Sequence, residues 1–155
     1  KGGTHNVFQQ LIEKQKPFSL PANYQPNESE VYMNDMQLKY FKIKLFEWKQ
    51  SLTDEIFNGE QTLSDQNMIC SDSIDLASIE RDRSSILLTH ERRLKLLRQI
   101  DLALQRIQQG EYGYCQETGD DIGIKRLLLN PVALYTVEVQ EELELHSLQS
   151  SSSEN

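Results

Sequence analysis

Cysteine, histidine and basic residues are scarce in this sequence. Its 155 residues include two cysteines, three histidines, and 16 Lys and Arg against 24 Asp and Glu, which gives a formal net charge of −8. Two cysteines and three scattered histidines do not form the paired C-x-x-C pattern of a closed structural zinc site. Because neutralising phosphates requires a dense set of cations, the acidic balance argues against direct binding to DNA or RNA.

The sequence also has little apolar content and lacks catalytic motifs. No apolar stretch reaches the roughly 18 residues of a membrane span, and no secretory signal pattern opens the chain, so we expect a cytoplasmic protein with reduced thiols and no membrane contact. The motifs of nucleophilic hydrolases, phosphate-binding loops and zinc proteases are absent. We therefore expect no enzymatic activity.

Composition divides the chain into four segments. Residues 1–31 hold three prolines among polar residues, which predicts a partly disordered arm. Residues 32–109 carry long helical patterns, and residues 110–148 consist of short runs separated by glycines. Residues 149–155 are rich in serine, and we expect a disordered tail there.

Two apolar stripes at helical spacing occupy residues 32–109. The first predicts a helix that ends near Gly59 or frays toward Asp65, and its stripe consists of Leu38, Phe41, Leu45, Trp48, Leu52 and Ile56. The second predicts a helix from about Ser73 to Gln109, whose apolar face includes Ile79, Ile86, Leu87, Leu94, Leu96, Leu97, Ile100, Leu104 and Ile107. Neither helix can bury its stripe alone. We therefore predict an antiparallel coiled-coil hairpin, about 55 Å long, with its tip near residues 64–77.

Residues 110–148 predict a small globular base. Short runs on either side of residues 117–120 favour a short β-hairpin. Thr136 is placed to cap a C-terminal helix. The predicted fold class is therefore mainly α, with a coiled-coil hairpin on a small base that ends in a helix.

Several motifs occur in order along the hairpin and the base. They are Tyr32-Met33-Asn34, the tip pattern D-x-x-D-x-A at 72–77, Glu91-Arg92-Arg93-Leu94, Gly113-Tyr114-Cys115, Ile122-Gly123-Ile124-Lys125-Arg126-Leu127, and Pro131. From about Tyr32 to Glu142 this series resembles the DksA/TraR family. The resemblance implies a bacterial regulator of transcription initiation, for example at ribosomal RNA promoters, that inserts a coiled coil into the secondary channel of RNA polymerase without binding DNA.

The resemblance also implies roles for particular residues. Asp72, Asp75 and Ala77 would act at the coiled-coil tip near the polymerase active centre, although the two carboxylates can also serve only to cap a helix and complement its dipole. Arg92 and Arg126 would dock on the polymerase, although the basic run that contains Arg92 is equally typical of a solvated helix face.

Two sets of positions depart from the family pattern. The four zinc positions of the family fall on Cys115, Thr118, Thr136 and Val139, which resembles a zinc-independent branch. We therefore predict no cofactor and treat a zinc ion completed by His146 or a second chain as the alternative.

The positions that aid binding of the alarmone ppGpp, the signal of the stringent response, fall on Leu96, Gln99, Asn130 and Gln140. None of them is basic, so we predict weak ppGpp synergy. Arg98 and Lys125 lie next to them and could substitute.

Two other functions fit the same hairpin. A structural or adaptor coiled coil would use the isoleucine stripe to oligomerise, whereas we expect a monomer. A secondary-channel factor that stimulates transcript cleavage would present its tip carboxylates to the metal ion of the polymerase.

Overall fold

The fold is built from four α-helices. A computed structural model describes residues 20–69 and 76–152. The helices are α1 (Asp35–Ile69), α2 (Leu76–Gln109), α3 (Ile124–Leu129) and α4 (Val137–Ser152). Within the described residues the only β-pairing is an isolated antiparallel bridge, Tyr114 to Asp121. The mainly α prediction is confirmed.

Helices α1 and α2 form the predicted antiparallel pair. Two ion pairs join Lys49 to Asp101 and Arg93 to Glu55, and His90 Nε2 lies 3.7 Å from Glu60. The residue number on α2 falls as the number on α1 rises, so the helices run in opposite directions. The predicted stripe lies in the seam between the helices: Phe41, Leu45, Leu52, Ile56 and Ile100 are buried, and Leu38, Trp48, Leu94, Leu97 and Ile107 pack against them. Leu87, expected on the apolar face, is instead 44% exposed, because it lies beside the half-buried Ile86 and not in line with the seam.

Helix α1 is longer than the sequence suggested. It continues through Gly59, where we expected it to end, and reaches Ile69. The space beside Gly59 is occupied by the Arg93 guanidinium of α2, and the Thr62 hydroxyl donates to the Asn58 carbonyl. Pairing with α2 therefore continues past the glycine, and this tertiary contact outweighs the low helix propensity of Gly59.

The base packs where α2 ends. Gly110, at φ 76°, stops α2 as expected. Tyr112, Ile122, Ile124 and Leu127 are buried in one cluster, which gives the base its core. The predicted β-hairpin is reduced to the single bridge, and the run that follows residues 117–120 passes into α3 at Ile124. Glycines at positive φ on both sides of the bridge turn the chain too sharply for a longer ladder.

The last helix extends into the Ser-rich segment. Thr136 caps α4 through its side-chain oxygen, which accepts from the Val139 N–H at 3.4 Å. Residues 149–152, expected to be disordered, lie in this helix. Four serine hydroxyls of α4 donate to backbone carbonyls one turn earlier in the helix. The donors are Ser147, Ser150, Ser151 and Ser152. These bonds satisfy the serine side chains within the helix.

In the described part of the arm before α1, residues 20–34, a polar cluster surrounds Glu30. Its carboxylate accepts hydrogen bonds from Tyr24 Oη at 2.6 Å, from Asn34 and from Gln37. Gln37 is fully buried and also accepts from the Met33 N–H at 2.7 Å. Within the described ranges, no helix combines the length and apolarity needed to cross a membrane.

Candidate functional site

The tip of the hairpin lies at the end farthest from the base. Ala77 is exposed in the first turn of α2, beside an open depression that Arg81 and Leu88 also line. Asp72 and Asp75, the two predicted tip carboxylates, lie outside the described residues. Of the predicted tip residues, the structure therefore places Ala77, on an accessible surface where a small side chain permits close approach.

The two predicted docking arginines have different surroundings. Arg92 is exposed on α2, next to Arg93, whose Nε donates to Glu55 Oε2 at 3.1 Å. Arg126 is half-buried, and its Nε donates to the Tyr135 carbonyl at 3.0 Å. Arg92 is thus available to a partner, whereas Arg126 also fastens α3 to the segment that leads into α4.

Three of the four family zinc positions meet around one thiol. Cys115 is 3% exposed. Burial raises the pKa of this thiol, but hydrogen bonds from the Thr118 side chain and from the backbone of Thr118, Thr136 and Glu117 outweigh burial and lower its pKa to about 7. The fourth position, Val139, packs against the buried core. The Cys115 thiol is therefore surrounded by hydrogen-bond donors from Glu117, Thr118 and Thr136.

The four predicted alarmone positions lie on α2, directly after α3, and on α4. Leu96, on α2, packs against the core, and Gln99, one turn later, is exposed. Asn130 is exposed directly after α3. Gln140, in α4, donates to Glu144 at 2.8 Å. These side chains offer amides and an apolar surface, and they supply no positive charge.

The basic neighbour on α3 is already engaged. Lys125 Nζ lies 3.4 Å from Glu28 Oε2, with both side chains more than half exposed. An exposed pair of this kind stabilises the fold by less than about 1 kcal/mol. Lys125 can therefore exchange Glu28 for another anion at little cost.

Sequence reasoning missed the joint between the hairpin and the base. The Tyr32 hydroxyl donates to the Gly113 carbonyl at 2.5 Å and accepts from the Gly123 N–H at 3.0 Å. Its ring meets Tyr114 edge-on, with centroids 5.6 Å apart. Burial raises the pKa of Tyr32, which keeps the hydroxyl protonated. The only signal in the sequence was a tyrosine before the first helix and glycines in the base.

Arg106 strengthens the same joint from the other helix. It is 7% exposed near the end of α2, and its Nη2 donates to the carbonyls of Glu111 at 3.0 Å and Tyr114 at 2.7 Å. A buried guanidinium that satisfies two carbonyls fixes the first turn of the base against the coil. Its place on the apolar side of α2 gave no sign of this role.

Two family models match the chain in sequence. Residues 37–107 match the N-terminal domain of DnaK suppressor protein DksA, and residues 110–145 match the prokaryotic dksA/traR C4-type zinc finger. The boundary between the two matches coincides with the end of α2.

Relatives with assigned names match most of the chain. The RNA polymerase-binding transcription factor DksA of Caulobacter vibrioides is 44% identical over 134 residues, which cover 86% of this chain and 89% of that protein. DksA of Escherichia coli K12 is 31% identical over 126 residues, covering 81% and 83%. The solved structure of transcription factor DksA2 from Pseudomonas aeruginosa is 41% identical, covers 79% of this chain and 93% of that one, and has a TM-score of 0.70.

The prediction that the base binds no cofactor is wrong. Residues 110–145 match a C4-type zinc finger, and this match points to zinc binding. The residues of this chain do not fit a four-cysteine shell, because Cys115, Thr118, Thr136 and Val139 supply one thiol, two hydroxyls and a hydrocarbon. Within residues 20–69 and 76–152, no three His, Cys, Asp or Glu side chains are grouped to hold a metal ion. The groups that surround the Cys115 thiol are hydrogen-bond donors.

The three kinds of comparison thus agree on one assignment. The coiled-coil segment and the base each match a family model, the named relatives cover more than four-fifths of the chain, and the DksA2 structure shares the fold. The chain belongs to the DksA/TraR family.

Proposed function

We propose that this chain is a cytoplasmic, non-enzymatic transcription factor that binds RNA polymerase and regulates initiation, with its coiled coil inserted into the secondary channel. The observation that supports this most is the shape: α1 and α2 form a two-helix probe, about 50 Å long, with the base at the opposite end from the tip. Relatives that cover most of the chain are named as RNA polymerase-binding transcription factors.

The tip acts through carboxylates. Asp72 and Asp75 precede α2 in the sequence, and Ala77 in its first turn leaves room for close approach. Two carboxylates carried at the end of a narrow probe compete with or reposition charged groups around a metal-dependent nucleotide site. This action destabilises short-lived promoter complexes without any contact between the factor and DNA.

Docking uses the basic side of α2. Arg92 is exposed and presents a guanidinium to acidic groups of the polymerase. Arg126 contributes mainly by fastening α3, since its Nε is occupied by the Tyr135 carbonyl. We therefore expect substitution of Arg92 to weaken polymerase binding, and substitution of Arg126 to disturb the base as well.

Synergy with ppGpp is weak in this proposal. Gln99, Asn130 and Gln140 are uncharged, and Gln140 is bonded to Glu144. A polyphosphate gains much of its affinity from paired cations. Lys125 can release Glu28 and supply one such cation, which leaves a small response rather than none.

The test is run-off initiation from a ribosomal RNA promoter with the cognate polymerase, with and without ppGpp. The wild-type chain should inhibit without ppGpp, and Asp75→Asn should abolish the inhibition while polymerase binding persists. Asp82→Asn is the matched control, because Asp82 is an exposed aspartate on α2, seven residues after Asp75 in the sequence. Equal inhibition by Asp75→Asn and the wild type would refute the role of the tip, and strong enhancement by ppGpp would refute weak synergy.

An adaptor coiled coil remains the second candidate because apolar side chains lie outside the seam. Phe57 is 60% exposed on α1, and Leu88 is 56% exposed on α2. Such residues favour contact with a second copy or another helix. Light scattering at dilute concentration separates the two: a monomer supports the polymerase factor, and a stable oligomer that does not inhibit initiation supports the adaptor.

A further inference from the structure

Among the described residues, side-chain hydrogen bonds join the hairpin to the base at two points, and one of them is built on Tyr32. At the first point the chain itself continues from α2 through Gly110, and Arg106 binds the carbonyls of Glu111 and Tyr114. At the second point, Tyr32 lies just before α1 and reaches across to backbone groups 81 and 91 residues later. This second point adds to the packing of Phe41 on Tyr112 and restricts rotation of the base about the end of α2.

The Tyr32 hydroxyl holds two separate turns of the base together. Gly113 carries the acceptor carbonyl and Gly123 the donor N–H, and the Ile122 N–H also donates to the Gly113 carbonyl at 2.8 Å. Both glycines have positive φ, at 92° and 101°. Phenylalanine at position 32 would keep the edge-on ring contact with Tyr114 and lose both hydroxyl bonds.

Met33 closes the same joint sterically. A Cβ added at Gly113 would lie 2.7 Å from the Cγ and Sδ of Met33. Met33 is 8% exposed and has φ 51°, which is rare for a residue with a side chain. The segment that precedes α1 is therefore pressed against the base with no spare room.

We propose that Tyr32 is a positioning residue: its hydroxyl, together with the contact between Met33 and Gly113, fixes the angle between the coiled coil and the base, and so fixes where the tip lies when the base is docked. This inference rests on the proposed function, since it assumes that tip and base engage one partner. Leverage makes the angle matter, because a rotation of about 5° at the joint moves a tip about 50 Å away by about 4 Å. Displacements well under that size disrupt the alignment of charged groups at a reaction centre.

The first measurement is a distance in the isolated full-length chain. Nitroxide labels at Asp82→Cys and Leu129→Cys, in a Cys70→Ser background, report the span from α2 near the tip to the end of α3, while the buried Cys115 stays unlabelled. Both label positions are exposed, Leu129 by 89%. Tyr32→Phe should broaden or shift the distance distribution. Tyr24→Phe is the matched control, because the Tyr24 hydroxyl donates to Glu30 within the same arm.

The second measurement is inhibition of initiation. Tyr32→Phe should need about tenfold more protein for half-maximal inhibition, whereas its affinity for polymerase should change less than about twofold, since the docking groups remain. A merely structural defect would lower both together. If Tyr32→Phe fails to fold, Gly113→Ala replaces it, with Gly119→Ala as its control: both glycines have positive φ, and only Gly113 lies against Met33.

The outcomes separate this inference from the function on which it rests. An unchanged distance distribution in Tyr32→Phe, or equal effects in Gly113→Ala and Gly119→Ala, overturns the inference and leaves the polymerase factor standing. A changed distance in a chain whose wild type does not inhibit initiation removes the proposed function and leaves Tyr32 as the residue that sets the angle. A changed distance with selective loss of inhibition supports both.

Discussion

Replacing Phe41 with alanine should be among the most destabilising single changes in the chain. Phe41 is fully buried on α1, and its ring contacts Tyr40, with centroids 5.4 Å apart, and Tyr112 of the base, at 5.6 Å. It therefore belongs at once to the seam of the coil and to the contact with the base. Truncation of a buried Phe removes its apolar burial, leaves a cavity and ends two aromatic contacts.

The magnitude follows from that environment. Buried Phe→Ala changes reduce the free energy of unfolding by about 3–5 kcal/mol. At about 2–4 °C per kcal/mol for a chain of this size, the midpoint of thermal unfolding should fall by about 10 °C. Phe46→Ala is the control: Phe46 lies on the same helix but is 48% exposed, so its loss should cost less than about 1 kcal/mol.

Urea unfolding gives the free energies directly. The single tryptophan, Trp48, is half-buried in the seam and reports on the coil near the base, and circular dichroism reports on all helices. Coincident transitions by the two probes would justify a two-state analysis. A loss below about 1 kcal/mol in Phe41→Ala, or an equal loss in Phe46→Ala, would refute the claim that the contact between coil and base is a buried core.

Three further predictions concern charged and titrating groups. Hydrogen bonds, chiefly from Tyr24, lower the pKa of Glu30. Tyr24→Phe should therefore raise that pKa toward its ordinary value, which NMR of the carboxyl carbon can follow. An unchanged pKa would contradict the hydrogen bond. Burial, followed by the bond to Glu30, raises the pKa of Tyr24 from 10.0 to about 12, so the stability that its neutral hydroxyl adds is complete below pH 10 and lost as pH rises through 12. Unfolding free energies of wild type and Tyr24→Phe should therefore converge across that range, and a constant difference would oppose this. The exposed pair Lys49–Asp101, although 2.6 Å apart, should show a coupling below about 1 kcal/mol in a double-mutant cycle, and a larger value would mean that it is shielded from water.

The helical hairpin was predictable because its signal is periodic and repeated. Phe41, Leu45, Leu52 and Ile100 lie in the seam where the spacing placed them. The end of α1 was not predictable, since Gly59 is a local break signal that contact with Arg93 on the other helix overrides. Such contacts are invisible to a rule that reads one segment at a time.

The site was predictable only in part. The resemblance supplied the tip, docking, zinc and alarmone positions, and the structure brings Cys115, Thr118 and Thr136 together. The absence of four cysteines led us to dismiss zinc, whereas the base matches a zinc-finger family. Tyr32 was missed because its role depends on backbone groups of residues far along the chain, whose positions follow from the turns at Gly113 and Gly123.

The antiparallel pairing of the coil also sets an order of assembly. Sequence separation between partners falls toward the tip, from 52 residues for Lys49 with Asp101 to 38 for Glu55 with Arg93, whereas the Tyr32 bonds span 81 and 91. Contacts that close shorter loops lose less chain entropy and form sooner. Loop-closure entropy by itself therefore favours pairing near the tip over the Tyr32 joint, which closes the longest loops of these contacts.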